Sequence, residues 1–228
     1  PNNEIELAKK LMQWYEQYPQ FDEEMAKYNM MIIGWRPLED YGIICTKPIK
    51  TLEDLQGLRI RSYGHALPRL FEALGATPVS MATPEAYEGL ERKVIDCSPT
   101  GVTLARGWRF EEVAKHYVQL RLGANWGHFL AFNRESVAKL SPASQAILKG
   151  LGREYLIEYT NTLARQTIEI QEEWKGKIGV EVSPFPTAPV AKATASEGVQ
   201  AARMEWIERA KAAGLPAEEM AKFFAFQD

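Results

Sequence analysis

Arg61 is the residue of this chain best suited to hold a small anion. It closes Leu58-Arg59-Ile60-Arg61, whose alternation reads as a strand, and Ser62-Tyr63-Gly64 turns the chain into a helix. Ligands of open α/β sheets sit beyond the carboxyl ends of strands, and a guanidinium there offers a planar fork to a carboxylate or phosphate. The plainer reading is a surface arginine paired with a local acid. Thr100 occupies a similar place after a strand ending at Cys97, where its hydroxyl either meets a ligand oxygen or caps a helix starting near Val102. Trp126, in Asn125-Trp126-Gly127-His128, is either a core anchor or a cleft wall, and the same choice holds for Trp35 and Tyr41 on either side of Arg36.

Catalytic patterns are missing. There is no GxSxG, HExxH, P-loop or dinucleotide-binding glycine pattern, and His65, His116 and His128 fall on separate elements. No acidic cluster has calcium-ligand spacing. Cys45 and Cys97 form no CxxC, so a zinc site or a disulfide framework is not expected; two buried free thiols are the first reading, with a single disulfide between them the alternative.

The elements that would position these groups follow from the apolar pattern. Helical spacing covers residues 4–30 with a break at Pro19, and short apolar runs at Met30–Gly34 and Gly42–Thr46 read as buried strands. Thr51 is placed to cap a turn over Leu52–Leu55 by bonding the Asp54 amide. From residue 58 to 97 the order is strand (58–61), helix (65–74), strand (77–81), helix (83–91) and strand (94–97), with Thr83 as N-cap and Pro84 at the first helical position. Such alternation marks a parallel sheet with helices on its faces. Strands are expected at Tyr117–Leu122 and His128–Phe132. A long helix follows from Ser141-Pro142 to about Lys177, then a strand at Val180–Val182, a helix over 187–213 and a short one over Pro216–Phe224, expected to pack on its own part of the molecule.

With 228 residues, 46% apolar and 25% charged, the chain is long enough for a core and ordinary for a globular protein. A formal charge of −3 speaks against a nucleic-acid surface. No apolar stretch is long enough to span a membrane, and PNNEIELAKK has no signal-peptide pattern, so the chain is either cytosolic or without its natural start.

Pro48-Ile49-Lys50-Thr51-Leu52-Glu53-Asp54-Leu55-Gln56-Gly57-Leu58-Arg59-Ile60-Arg61 resembles a segment shared by the solute-binding proteins of TRAP transporters, the DctP-like family. The likeness continues through Leu74–Val79, Glu85–Leu90, Val94-Ile95-Asp96, Phe132-Asn133 and Leu140-Ser141-Pro142, in order, over about residues 30–175. It implies a two-lobed α/β clamshell of the periplasm without enzymatic activity or cofactor, which closes on a small organic acid and delivers it to the transporter's membrane subunits. Lobe one would comprise 1–38 and 127–165, and lobe two 39–126 and 166–228, with the long helix crossing both.

By the same resemblance Arg61 grips the ligand carboxylate, and Thr100 stands where the family often has Asn. Thr83 precedes the "E-x-Y" helix at a position that often touches the ligand. Asn125, Trp126 and His128 map to the hinge strand; apart from the resemblance, the aromatic richness around Trp35, Tyr41, Tyr63 and Trp126 suggests stacking on an apolar part of the ligand. A second family arginine falls near Asp40-Tyr41 by counting, so either Tyr41 holds that place or Arg36 does across a longer loop. Family members usually carry a further N-terminal stretch with a secretion signal and the first strands of one lobe. The resemblance therefore implies a missing preceding segment, leaving Met30–Ile33 at an unpaired sheet edge. A sensory ligand-binding domain is the alternative reading, and an enzyme on an α/β scaffold a more distant one.

Overall fold

The computed structural model describes residues 4–123 and 128–223, the side chain of Arg153 excepted. Helices α1 (Glu4–Gln17) and α2 (Pro19–Ala26) come first, divided where Pro19 has no amide to continue the ladder and begins a helix instead. Then follow β1 (Met30–Arg36), β2 (Gly42–Cys45), β3 (Arg59–Ser62), α3 (Ala66–Ala73), β4 (Thr77–Ser80), α4 (Ala86–Glu91) and β5 (Cys97–Thr100). Next are α5 (Val102–Gly107), α6 (Phe110–Val113), β6 (His116–Gln119), β7 (His128–Asn133), α7 (Arg134–Ala138) and α8 (Pro142–Glu173). β8 (Glu181–Pro184), α9 (Thr187–Thr194), α10 (Glu197–Ala212) and α11 (Ala217–Phe223) complete the described chain.

A six-stranded sheet has the order β4-β3-β5-β2-β6-β8. β3 runs parallel to β4 and β5, as the strand–helix alternation requires, while β2 is antiparallel to both its neighbours and β6 is parallel to β8. Adjacent residues of β2 serve opposite faces, since side chains alternate along a strand. Ile43 packs with Ile60, Phe71, Leu74 and Val118, whereas Ile44 packs with Leu90, Phe110 and Trp174. The result is an α/β/α stack.

Several boundaries differ from the expected ones, each for a local reason. The third strand begins at Cys97 because Lys93 is left-handed (φ 57°) and the Val94 and Ile95 amides both bond back to Gly89, so they finish the preceding helix. β6 ends at Gln119, where the Leu120 amide turns back onto the Val118 carbonyl. The helix expected over 187–213 is two, parted at Ala195-Ser196. α8 stops at Glu173, and a wide π turn over Trp174–Ile178 buries Trp174 before Gly179 reverses the chain at φ 75°. Thr51 does not cap through its hydroxyl: the Asp54 carboxylate instead accepts the Lys50 and Thr51 amides at 2.8 and 2.9 Å.

The cysteines correct a further expectation. Cys45 and Cys97 are not free thiols but a disulfide, because they sit opposite one another on antiparallel β2 and β5. A separation of 52 residues hid that pairing from sequence spacing.

A second, two-stranded sheet joins β1 to β7 in antiparallel register, with an irregularity between Ile32 and Gly34. α8 lies across β1 so closely that a Cβ at Gly152 would collide with the Ile33 carbonyl. Ser141 caps α8 by accepting the Ser144 amide at 3.1 Å, with Pro142 following, as its sequence implies. In the tail, α11 rests on α10, and Glu219 meets Lys10 and the Trp14 indole of α1.

Candidate functional site

The carboxyl ends of β3, β4 and β5 and the start of antiparallel β2 share one rim of the large sheet, and most of the expected residues stand on it. Arg61 is only 5% exposed. Its Nε donates to the Met81 carbonyl at 3.0 Å, its Nη2 donates to Thr83 Oγ1 at 2.7 Å, and the guanidinium lies 4.8 Å from the Tyr63 ring centroid. The titratable groups acting on it among the described residues are the phenols of Tyr63 and Tyr41, neutral near pH 7, and not a carboxylate. Burial pushes Arg61 below the usual arginine range, against the smaller opposing effect of those phenols, yet arginine starts so high that it stays charged. A buried guanidinium without a carboxylate costs free energy unless an anion joins it.

Thr83 is not an N-cap, since Ala82 precedes its helical turn and Glu85 accepts the Ala82 amide at 3.0 Å. Thr83 instead steadies Arg61. Tyr41 is buried beside this pair, its amide donating to the Gly123 carbonyl at 3.2 Å. Burial, with the neighbouring Tyr63 and Glu39, pushes its phenol far above the ordinary tyrosine range.

Thr100 is fully buried, and its hydroxyl donates to the Gly101 carbonyl at 2.9 Å rather than capping α5. Its own carbonyl accepts the Tyr117 hydroxyl at 3.1 Å, and that phenol accepts the Gly42 amide at 3.1 Å. Tyr117 therefore ties the ends of β5 and β2 together from below the rim.

The cap of α5 is Glu39, which sequence reasoning missed. Its carboxylate accepts the Thr103 amide at 2.8 Å, the Thr103 hydroxyl at 2.7 Å, the Leu104 amide at 3.2 Å and the Thr167 hydroxyl of α8 at 2.9 Å. Gly101 is required beneath it, since any Cβ there would overlap the Glu39 side chain. Glu39, Asp40, Gly42, Gln119, Arg121 and Gln171 are among the residues lining a cavity of about 350 Å³ beside the rim. Neither Glu39 nor Tyr117 falls in a motif, and only the tertiary packing singles them out.

A second group stands where the two-stranded sheet ends. Arg36 and His128 are register partners, and the Arg36 guanidinium lies 4.3 Å from the Tyr159 ring of α8. Arg36 Nε is buried without a hydrogen-bond partner among the described residues. Burial and then the Arg36 charge hold His128 below the ordinary histidine range, so it is neutral near pH 7. Tyr159 reads as a core position of the long helix in sequence; in space it stacks on Tyr155 and underlies Arg36. The charge of Glu39 acts on Tyr41, Tyr117 and Tyr159 alike, which places it between the two groups. Asn125 and Trp126 lie outside the described residues. Among the described residues, no group of three or more His, Cys, Asp or Glu side chains is arranged to hold a metal ion.

Comparison with known proteins decides the family. Residues 3–205 match the model of the bacterial extracellular solute-binding proteins of family 7, the DctP family. The chain belongs to that family. Its members are binding proteins, not enzymes.

Among curated relatives of this family 7 chain, the 2,3-diketo-L-gulonate-binding periplasmic protein YiaO of Escherichia coli is 30% identical over 122 residues, covering 53% of this chain and 36% of that protein. The C4-dicarboxylate-binding periplasmic protein DctP of Vibrio cholerae is 27% identical over 150 residues, covering 58% and 45%. The chain thus spans less than half the length of these relatives. Of the solved structures, a TRAP periplasmic solute-binding protein of Desulfovibrio salexigens with bound orotic acid superposes with a TM-score of 0.74 at 21% identity, covering 93% of this chain and 68% of that one. One from Sulfitobacter with bound β-D-galacturonate gives 0.71 at 20%, covering 89% and 64%. These likenesses establish the two-lobed α/β clamshell fold. No helix among the described residues is long and apolar enough to cross a membrane.

Proposed function

We propose that this family 7 chain captures a small organic anion by its carboxylate at Arg61, in the crevice between its two lobes, and delivers it to the membrane subunits of a TRAP transporter. The observation that carries this reading is a buried guanidinium at a sheet rim, held in place by Met81 and Thr83 and facing no acid among the described residues. A carboxylate seated there would make charge-assisted hydrogen bonds of about 1.5–3 kcal/mol each. In this reading the lobes are 1–38 with 127–165 and 39–126 with 166–228, α8 crosses both, and Arg36, His128 and Tyr159 face the ligand from the side opposite Arg61.

The periplasm is the proposed compartment. Both curated relatives are named periplasmic proteins, and the Cys45–Cys97 disulfide suits an oxidising environment.

The test is a thermal-shift series with D-glucuronate, D-galacturonate, orotate and succinate. An acid present at about 100 times its dissociation constant adds roughly 2.7 kcal/mol of stability. Arg61→Met is expected to erase the shift and Arg61→Lys to reduce it. A shift that survives in Arg61→Met removes Arg61 from the site, and no shift with any of these acids speaks against the carboxylate reading.

A further inference from the structure

Glu39 sets a fixed negative charge beside the two guanidiniums. It is only 4% exposed and lies on the first passage between the two sheets, after Arg36 and before Tyr41. Its side chain fills the space over Gly101, just past the end of β5, and β5 is the neighbour of the strand that carries Arg61. It therefore stands between the Arg61 group and the Arg36 group. Oε1 accepts the Thr103 amide, the Thr103 hydroxyl and the Leu104 amide, while Oε2 accepts the Thr167 hydroxyl. A carboxylate has about four lone-pair sites, so both oxygens are committed to the protein. Every one of these donors is neutral, and among the described residues no cation pairs with Glu39. Glu39 is thus closed to a ligand as an acceptor, while its charge is left in place.

That charge alters what the crevice can hold. Arg61 and Arg36 bring two positive charges and Glu39 one negative. His128 is neutral near pH 7, and Asp40 and Arg121, which line the same cavity as Glu39, offset one another. One positive charge remains for a guest to answer, and a carboxylate on Arg61 answers it. Arg36 gives a second carboxylate no comparable seat, because Glu39 follows on the same segment and offsets it. Like charges repel strongly where water is excluded, and a built-in repulsion lets a site reject a close relative of its ligand. Bonds to α5 and α8 together keep Glu39 from swinging aside.

We propose that Glu39 sets the charge of the ligand, so that the crevice takes a monoanion, one carboxylate on an otherwise uncharged body, and rejects a dicarboxylate of the same size. This rests on Arg61 being the carboxylate seat.

The test is calorimetry near pH 7 with two matched pairs, succinamate against succinate and D-gluconate against D-glucarate. Within each pair the far end differs mainly in whether it carries a second negative charge. The wild-type chain is expected to bind the monoanion of a pair about tenfold tighter or more. Glu39→Gln keeps the shape and removes the charge, so the preference should fall toward one, chiefly because the dianion gains. Thr167→Val deletes one donor to Glu39 but keeps the charge, and should retain the wild-type preference. A dianion bound as tightly as its partner by the wild type overturns the proposal, a result that needs no variant to fold. So does a preference unchanged in folded Glu39→Gln, or one lost equally in Thr167→Val, which assigns it to packing. Equal binding within pairs that Arg61→Met abolishes leaves the carboxylate reading standing and sinks this inference alone. No binding of either monoanion, or binding untouched by Arg61→Met, overturns both.

Discussion

Arg61 is set by its own strand, but its readiness depends on a neighbour. Thr83 receives the Nη2 hydrogen bond at 2.7 Å, so Thr83→Val would leave that donor unmet and the guanidinium free to turn. Ligand affinity in Thr83→Val is expected to fall about tenfold, the equivalent of roughly one hydrogen bond; calorimetry with whichever acid shifts the melting temperature would read it. Glu39 makes a larger prediction for stability. Glu39→Gln removes a charge-assisted acceptor of two amides and two hydroxyls and is expected to cost about 1.5–3 kcal/mol in urea unfolding. Thr167→Val should cost less, since it deletes one of those four donors. Asp96 supplies a pH test. Burial alone would raise its carboxyl, but hydrogen bonds from the Arg59 side chain and amide overcome this and hold it below the usual aspartate range. Its contribution is therefore complete above the unfolded-state value near ~3.9 and is lost as the pH falls through the lowered folded value. Asp96→Asn should flatten that acid limb of the stability profile, and an unchanged limb would show that other carboxylates set it.

Strands and helices carry the next set of consequences. The disulfide joins the middle of the sheet, where β2 and β5 lie side by side with both cysteines fully buried. Closing a loop of 52 residues restricts the unfolded chain by about 4 kcal/mol in the chain-entropy account. A Cys45→Ala, Cys97→Ala double variant should accordingly unfold at distinctly lower urea, with little change in the rim geometry. α8 offers a contrasting test. Its 32 residues span about 48 Å, and its contact with β1 depends on the bare backbone of Gly152 against Ile33. Gly152→Ala would improve helix propensity yet force helix and strand apart, so the expected net effect is a loss of about 1–3 kcal/mol. A stabilised Gly152→Ala would mean that the two elements separate without cost.

At the scale of the molecule, the polypeptide passes between its two sheets three times, after β1, before β7 and along α8. Glu39 fastens the first of these crossings to α5 and to α8 at once. In the proposed function, adding a bound acid should close the lobes and lower the radius of gyration measured by solution X-ray scattering. The same acid with Arg61→Met should leave the scattering curve unchanged. A ligand that shifts the melting temperature but not the scattering would separate binding from closure.

Much of this was legible without coordinates. Alternating strands and helices over residues 58–97 dictated the parallel core of the sheet, because period-two and period-3.6 patterns state which face of an element is apolar. The position of Arg61 at the end of β3 followed from the same pattern, as did the Ser-Pro start of α8. What periodicity does not state is which partner an apolar or polar face will meet. The Cys45–Cys97 pair, the Glu39 cap on Thr103 and Thr167, and the Arg36–Tyr159 stack join residues from 52 to 128 positions apart, and each exists only once the chain has closed on itself. Local sequence thus determined the elements and the strand end that presents the guanidinium. Tertiary packing alone decided how that charge is held and what caps α5, because those outcomes depend on distances between segments that no local pattern records.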